Sequence, residues 1–232
     1  MIEMAILSPE QLTGRERTHV RELPELACTL HPQAAQAFMA LRARARLSGI
    51  DLAVASSFRD FEQQRAIWNA KFRGQRPLLD RNGRPLDVKL MSAPQIVEAI
   101  LLWSALPGAS RHHWGTEIDV FDRAALLPGQ RPQLLSAEYG ADGPFAKLAA
   151  WLAVYAHSYS FFLPYDLDRG GVQPEPWHLS YAPVSSTALM ALTPQVLHEA
   201  LRGADVAGIE VVVDQLSDIH RRYVCGVAQP AA

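Results

Sequence analysis

At 232 residues, 49% of them hydrophobic and 20% charged, the chain can fill one globular domain with a small appendage and is not a disordered segment. A formal net charge of −2 with only scattered arginines argues against a general nucleic-acid binder. No uninterrupted apolar run is long enough to span a bilayer.

The opening Met-Ile-Glu-Met-Ala-Ile-Leu-Ser-Pro-Glu has neither the basic nor the long apolar region of a secretory leader. The expectation is therefore a cytoplasmic protein, or an envelope protein if a leader precedes this sequence. His31-Pro32 and the run after it predict a helix with proline in its first turn, stopping near Gly49. Ile50 to Ser56 is a short β-prone run, and Asp60-Phe-Glu-Gln63 has the spacing of a capping box that opens a helix through Phe72. Arg73 to Met91 predicts a loop or hairpin insertion centred on Asn82-Gly83.

Ser92-Ala-Pro-Gln95 starts a further helix, Ile96 to Leu106, ended by Pro107-Gly108. Thr116 to Phe121 predicts a strand with Glu117, Asp119 and Phe121 on one face and Ile118 and Val120 on the other. A helix from Phe145 to His157 follows, then strands at Phe161 to Tyr165 and Trp177 to Tyr181 around a Gly170-Gly171 turn. From Thr193 the chain is again helical, in two pieces divided around Asp205 to Gly208. Without regular βαβ alternation the expected class is α+β. Cys28 and Cys225 form no metal-spaced pair and read as two buried free thiols. No feature of the sequence sets the oligomeric state.

Two segments carry chemistry. Ser110-Arg-His-His-Trp-Gly-Thr-Glu-Ile-Asp119 and Glu175-Pro-Trp-His178 together offer His112, Asp119 and His178, a two-histidine, one-carboxylate ligand set, with Glu175 free beside it. Hydrolytic zinc needs three protein ligands, an open position and a nearby proton acceptor. A turn at Gly115 can bring Asp119 back beside His112. Spacing alone leaves a second reading open, a turn carrying an exposed His-His pair and a surface aspartate. Pro176 forces Glu175 toward extended backbone, so Glu175 and His178 can flank a bend. Otherwise Glu175 is a capping residue beside a core tryptophan. Arg59 falls where a strand gives way to a helix and can project into a cleft, or can form a plain surface pair with Asp60. His19, His31, His157, His198 and His220 sit in helical or capping contexts and read as ordinary residues.

These segments together resemble the zinc D-alanyl-D-alanine carboxypeptidases of the VanY type. Ser110, His112, Gly115 and Asp119 match one family motif, Glu175, Trp177 and His178 a second, and Ser56, Phe58, Arg59 and Gln64 a third. The resemblance covers roughly residues 30 to 185. It implies zinc held by His112, Asp119 and His178, Glu175 as catalytic base, and Arg59 as transition-state stabiliser. It implies a small antiparallel sheet flanked by helices, a fold shared with the Hedgehog signalling domain. A catalytic domain over 1–185 and a packed helical C-terminal appendage over 186–232 follow from it. The implied substrate is a peptidoglycan peptide or precursor ending in D-Ala-D-Ala. Ser110, Ser57 and Gln64 are the candidate substrate-binding residues, and Trp114 and Trp177 either wall the cleft or pack in the core. Glu117 stands where the family often has alanine, and is either a partner of a zinc-bound histidine or a competing ligand. His113 adjoins His112, and the motif register selects His112. An L,D-carboxypeptidase, a peptidoglycan endopeptidase and a non-catalytic zinc-binding module are the rival readings.

Overall fold

A computed structural model of the chain describes residues 6–230; the first five residues, on which the leader reading partly rests, lie outside them. A short helix α1 (Pro9–Leu12) and a hairpin of β1 (Arg21–Leu23) and β2 (Cys28–Leu30) precede the first long helix, α2 (Pro32–Arg46). His31 caps α2, its ring nitrogen accepting the Gln33 N–H, and Pro32 occupies the first helical position. Strand β3 (Leu52–Ser56) leads to α3 (Phe61–Phe72), where Asp60 and Gln63 form the expected reciprocal cap. The insertion closes as a turn with Leu79 bridged to Pro85.

Helix α4 (Ala93–Leu101) ends five residues before the expected Leu106. Its Leu102 carbonyl accepts the Gln173 N–H, and the Trp103 indole is drawn to the Asp80 carbonyl, so the chain leaves the helical path. After a 3₁₀ turn at Arg111–Trp114 come β4 (Glu117–Asp122), α5 (Ser136–Tyr139) and α6 (Ala146–Tyr155). Strand β5 (Phe161–Phe162) is much shorter than the Phe161 to Tyr165 run, because Pro164 has no N–H to donate and the chain turns away there. Strand β6 (His178–Tyr181) runs straight into α7 (Ala182–Ala191), followed by α8 (Pro194–Leu201), α9 (Ile209–Asp214) and α10 (Leu216–Ile219).

The main sheet has the order β3-β4-β6-β5, antiparallel throughout. One face of it buries Leu52, Ile118, Val120 and Leu179 against Phe38 and Leu41 of α2 and Leu148 of α6. Each such side chain contributes roughly 1.5–3 kcal/mol of burial. A second core gathers Phe61 and Trp68 of α3, Ile100 of α4, Trp114, and Leu197, Val212 and Leu216 of the last helices. The C-terminal segment is thus packed into the molecule: Trp68 Nε1 donates to the Ala207 carbonyl, and the Asn69 amide bonds both Asp205 and Ala207. Residue 185 falls inside α7. Among the described residues no helix is long and apolar enough to cross a membrane. Both cysteines are free, but only Cys28 is buried; Cys225 is exposed, just after the last helical turn.

Candidate metal centre and active site

The 3₁₀ turn that carries His112 ends at Gly115, whose φ of 68° lies in the left-handed region. A Cβ at Gly115 would collide with the Val20 side chain and the His31 backbone nitrogen, so only glycine fits. The chain reverses there into β4, and Asp119 returns to His112, with Oδ2 3.4 Å from Nε2. The sheet register pairs Asp119 with His178 on β6, placing His178 Nδ1 3.2 Å from Asp119 Oδ1. Donor atoms of His112, Asp119 and His178 all lie within 4.8 Å of one another, and all three side chains are buried.

This set fits a metal ion. Four donors arranged tetrahedrally at zinc bond lengths lie ~3.3 Å apart, and the two histidine–aspartate spacings here are 3.4 and 3.2 Å. Each ring has its other nitrogen already committed. His112 Nδ1 is 2.8 Å from the Ser57 carbonyl and His178 Nε2 is 2.8 Å from Glu117 Oε2. Both partners can only accept, so those nitrogens carry the protons and leave His112 Nε2 and His178 Nδ1 as lone pairs facing the carboxylates. Asp119 Oδ1 is buried and accepts no hydrogen bond. With the rings neutral, lone pairs and carboxylates facing each other at this spacing need a cation between them: a metal ion or, without one, a proton on His178 Nδ1. Burial opposes charge on His178, yet the Asp119, Glu117 and Glu175 carboxylates hold its pKa well above the ordinary value. Burial likewise resists ionisation of Asp119, but His112, His178 and Arg59 bring its pKa down to about 2.

Glu175 lies on a turn in which the His178 N–H bonds the Glu175 carbonyl. Its Oε2 is 3.2 Å from His178 Nδ1. Burial pushes its pKa up, against the pull of His178 and Arg59. A carboxyl of raised pKa beside a candidate metal-ligand set is suited to accepting and returning a proton.

Arg59 approaches from the end of β3, its Nη2 3.9 Å from Asp119 Oδ2. Its Nη1 donates to Gln64 Oε1 at 2.8 Å, and Gln64 in turn donates to the Ala105 carbonyl. The backbone is fixed as well: Arg59 N–H bonds the His112 carbonyl, and the Arg59 carbonyl accepts from His113 Nδ1 at 2.6 Å. His113 Nε2 accepts the Gly108 N–H, so both of its ring nitrogens are used structurally and burial drives its pKa down to about 3. The guanidinium Nε is buried and has no partner.

The cavity over this centre has a volume of about 600 Å³, and Arg59, Ser110, His112, Asp119, Glu175 and His178 all line it. Ser57 and Gln64 are not on its wall. Ser57 receives the Thr29 N–H on its hydroxyl and His112 on its carbonyl, and the fully buried Gln64 clamps Arg59. Trp114 is core, fully buried with its indole bonded to the Leu12 carbonyl, while Trp177 both packs in the core and lines the cavity. Glu117 stands behind His178, outside the candidate donor set, and bonds the ring nitrogen that faces away from Asp119. Three features went unread in the sequence. Tyr165 packs edge-on to the His178 ring at 5.0 Å. The Arg81–Gly83 tip of the insertion and Leu134, held at a φ of 56°, complete the cavity rim. Only the Asn82-Gly83 turn signal pointed to any of these.

Residues 27–184 match the VanY family, described as D-alanyl-D-alanine carboxypeptidase. The chain belongs to this family. As a VanY-family protein it is a carboxypeptidase-type hydrolase. Two uncharacterized proteins of Haemophilus influenzae are similar to it. One is 48% identical over 103 residues, covering 43% of this chain and 70% of the relative. The other is 36% identical over 121 residues, covering 51% and 92%. Among solved structures, VanYB in complex with D-alanine-D-alanine has a TM-score of 0.53 at 20% identity, covering 82% of this chain and 92% of that one. A VanY D,D-pentapeptidase in complex with Zn(II) has a TM-score of 0.52 at 21% identity, covering 80% and 90%. The LdcB LD-carboxypeptidase has a TM-score of 0.51 at 21% identity, covering 84% and 82%. At such identities these likenesses establish the shared α+β fold.

Proposed function

We propose that this VanY-family protein is a zinc-dependent carboxypeptidase hydrolysing the terminal D-Ala-D-Ala bond of peptidoglycan stem peptides or their precursors. The observation that carries the proposal is the convergence on one cavity wall of the His112, Asp119 and His178 donors with two groups a purely structural site does not need, Glu175 and Arg59. That pairing also disfavours a non-catalytic zinc module. Zinc, when bound by those three residues, supplies Lewis acidity and a water acidified to a pKa of about 7. Glu175 removes a proton from the attacking water as its oxygen bonds to the scissile carbonyl carbon, and delivers that proton to the departing amine nitrogen as the C–N bond breaks. Arg59, held in place by Gln64, donates to the carbonyl oxygen as negative charge builds there, an interaction worth ~3 kcal/mol in comparable sites. Ser110 hydrogen-bonds the substrate in this reading, which its position on the cavity wall supports.

The test is a panel of defined muropeptides incubated with the zinc-loaded protein, the products being weighed. Release of one D-alanine from a pentapeptide stem is expected. Release only from tetrapeptide stems would assign an L,D-carboxypeptidase, and a cut cross-link an endopeptidase.

A further inference from the structure

Glu117 occupies the place of a small residue in the motif the chain resembles, and it is completely buried. Its carboxylate is fully engaged. Oε2 accepts from His178 Nε2 at 2.8 Å and lies 3.2 Å from Arg111 Nε. Oε1 has the Thr116 and Ser180 hydroxyls each at 2.8 Å, and Arg111 Nη2 at 3.4 Å. Arg111 is equally unusual, only 2% exposed, with Nη2 on the Ser180 hydroxyl and its guanidinium 4.7 Å over the Trp114 ring.

A buried ion pair is weak evidence for stability, because desolvation consumes most of the attraction. This pair does something an apolar pair of the same volume could not. A neutral imidazole has one N–H, and an acceptor-only group on Nε2 obliges the other nitrogen of His178 to be the lone pair that faces Asp119. A full negative charge on that acceptor also makes the ring a stronger donor to a cation than a carbonyl would. Alone, Glu117 would be a third carboxylate in a closed space that already holds Asp119 and Glu175. Arg111 cancels that charge and has no contact with the donor atoms themselves.

We propose that Arg111 and Glu117 form a positioning pair for the metal ligand His178: Glu117 fixes the ring's tautomer and strengthens its donation, and Arg111 acts only through Glu117. The inference rests on the zinc reading of the site. It assigns a chain-specific means of setting metal affinity; Glu117 is not on the cavity wall, and Arg111, which borders it, directs its Nε and Nη2 to Glu117 and Ser180.

The experiment measures zinc dissociation constants of the full chain by competition with a chromogenic chelator, alongside the visible spectrum of the cobalt-substituted protein. Glu117→Gln keeps the volume and removes the charge; it is expected to weaken zinc binding ~10–100-fold and to shift the cobalt bands. The double variant Arg111→Met/Glu117→Gln should match the single variant within about twofold, since a residue acting only through its partner adds nothing once that partner is neutral. Zinc affinity of Glu117→Gln within about twofold of the parent would overturn the proposal, leaving a merely structural ion pair. A further loss of ~10-fold in the double variant would overturn the claim that Arg111 acts through Glu117. Should the single variant fail to fold, the double variant, which removes both charges together, carries the same test: parent-like affinity overturns the pair's role. Failure of the parent protein to bind one zinc would instead overturn the zinc reading itself.

Discussion

Replacing Glu175 by glutamine separates a base from a ligand at the centre of this site. The substitution keeps the volume and hydrogen-bonding capacity of a side chain whose Oε2 lies 3.2 Å from His178 Nδ1, and removes only the ability to accept a proton. A positioned general base contributes ~10²–10⁴ in rate, or about 3–5 kcal/mol of barrier, so kcat/KM for D-alanine release should fall by that factor. His112, Asp119 and His178 are untouched, so metal analysis should still find one zinc per chain. The pH profile gives an independent readout. Burial places the Glu175 pKa above the ordinary carboxylate value of 4.5, and the base works only when ionised. Parent activity should therefore fall as pH drops through that raised value, and the corresponding limb should vanish in the variant. Loss of zinc together with activity would make Glu175 a ligand. Retention of more than ~10% of parent kcat/KM would place the base elsewhere.

Gln64→Ala releases the Nη1 of Arg59 from its clamp without touching the donor set, and should cost ~10²-fold in kcat/KM at unchanged zinc content; an unchanged rate would show that Arg59 is held by its backbone alone. Gly115→Ala forces a left-handed residue against Val20 and His31, and should lower stability by ~2 kcal/mol or more, a fall of roughly 4–8 °C in Tm by calorimetry. With zinc chelated, stability in urea should fall as pH drops from about 6.5. His112 and His113 both have folded pKa values of about 3, so over that window the unfolded chain binds protons that the folded chain refuses. Each contributes a loss of up to ~1.4 kcal/mol per pH unit; at about pH 6.5 His178, whose folded pKa is raised, acts in the opposite sense as the unfolded imidazole takes up its proton, so the net fall there is roughly that of one ring. Flat stability between pH 6.5 and 5 would refute the burial of neutral rings.

What could be read in advance was whatever local spacing encodes. Asp60 and Gln63 cap α3 because a cap is a property of four consecutive residues, and the turn at Gly115 follows from one residue that alone tolerates its φ. The hairpin β1–β2 and helix α7 went unread because neither has a strong periodic signature of its own. The service that Ser57 gives His112 comes from its main-chain carbonyl, a group every residue has and no motif can mark. Tyr165 and the insertion tip reach the cavity only through tertiary packing.

Glu117 shows where the limit lies. Strand alternation places Glu117 and Asp119 on the same face, and with that alone either carboxylate can meet the histidines. The decision belongs to the pairing of β4 with β6, which sets Asp119 opposite His178 and Glu117 opposite Ser180. Two residues along an antiparallel strand is ~7 Å, enough to set the two carboxylates at opposite nitrogens of one imidazole. Asp119 therefore meets His178 at Nδ1 and Glu117 meets the same ring at Nε2. A register shifted by one residue would have turned both carboxylates away from the ring. Which carboxylate joins the candidate donor set and which backs the histidine is thus written in how two strands align, and two segments about sixty residues apart must be brought together before the distinction exists.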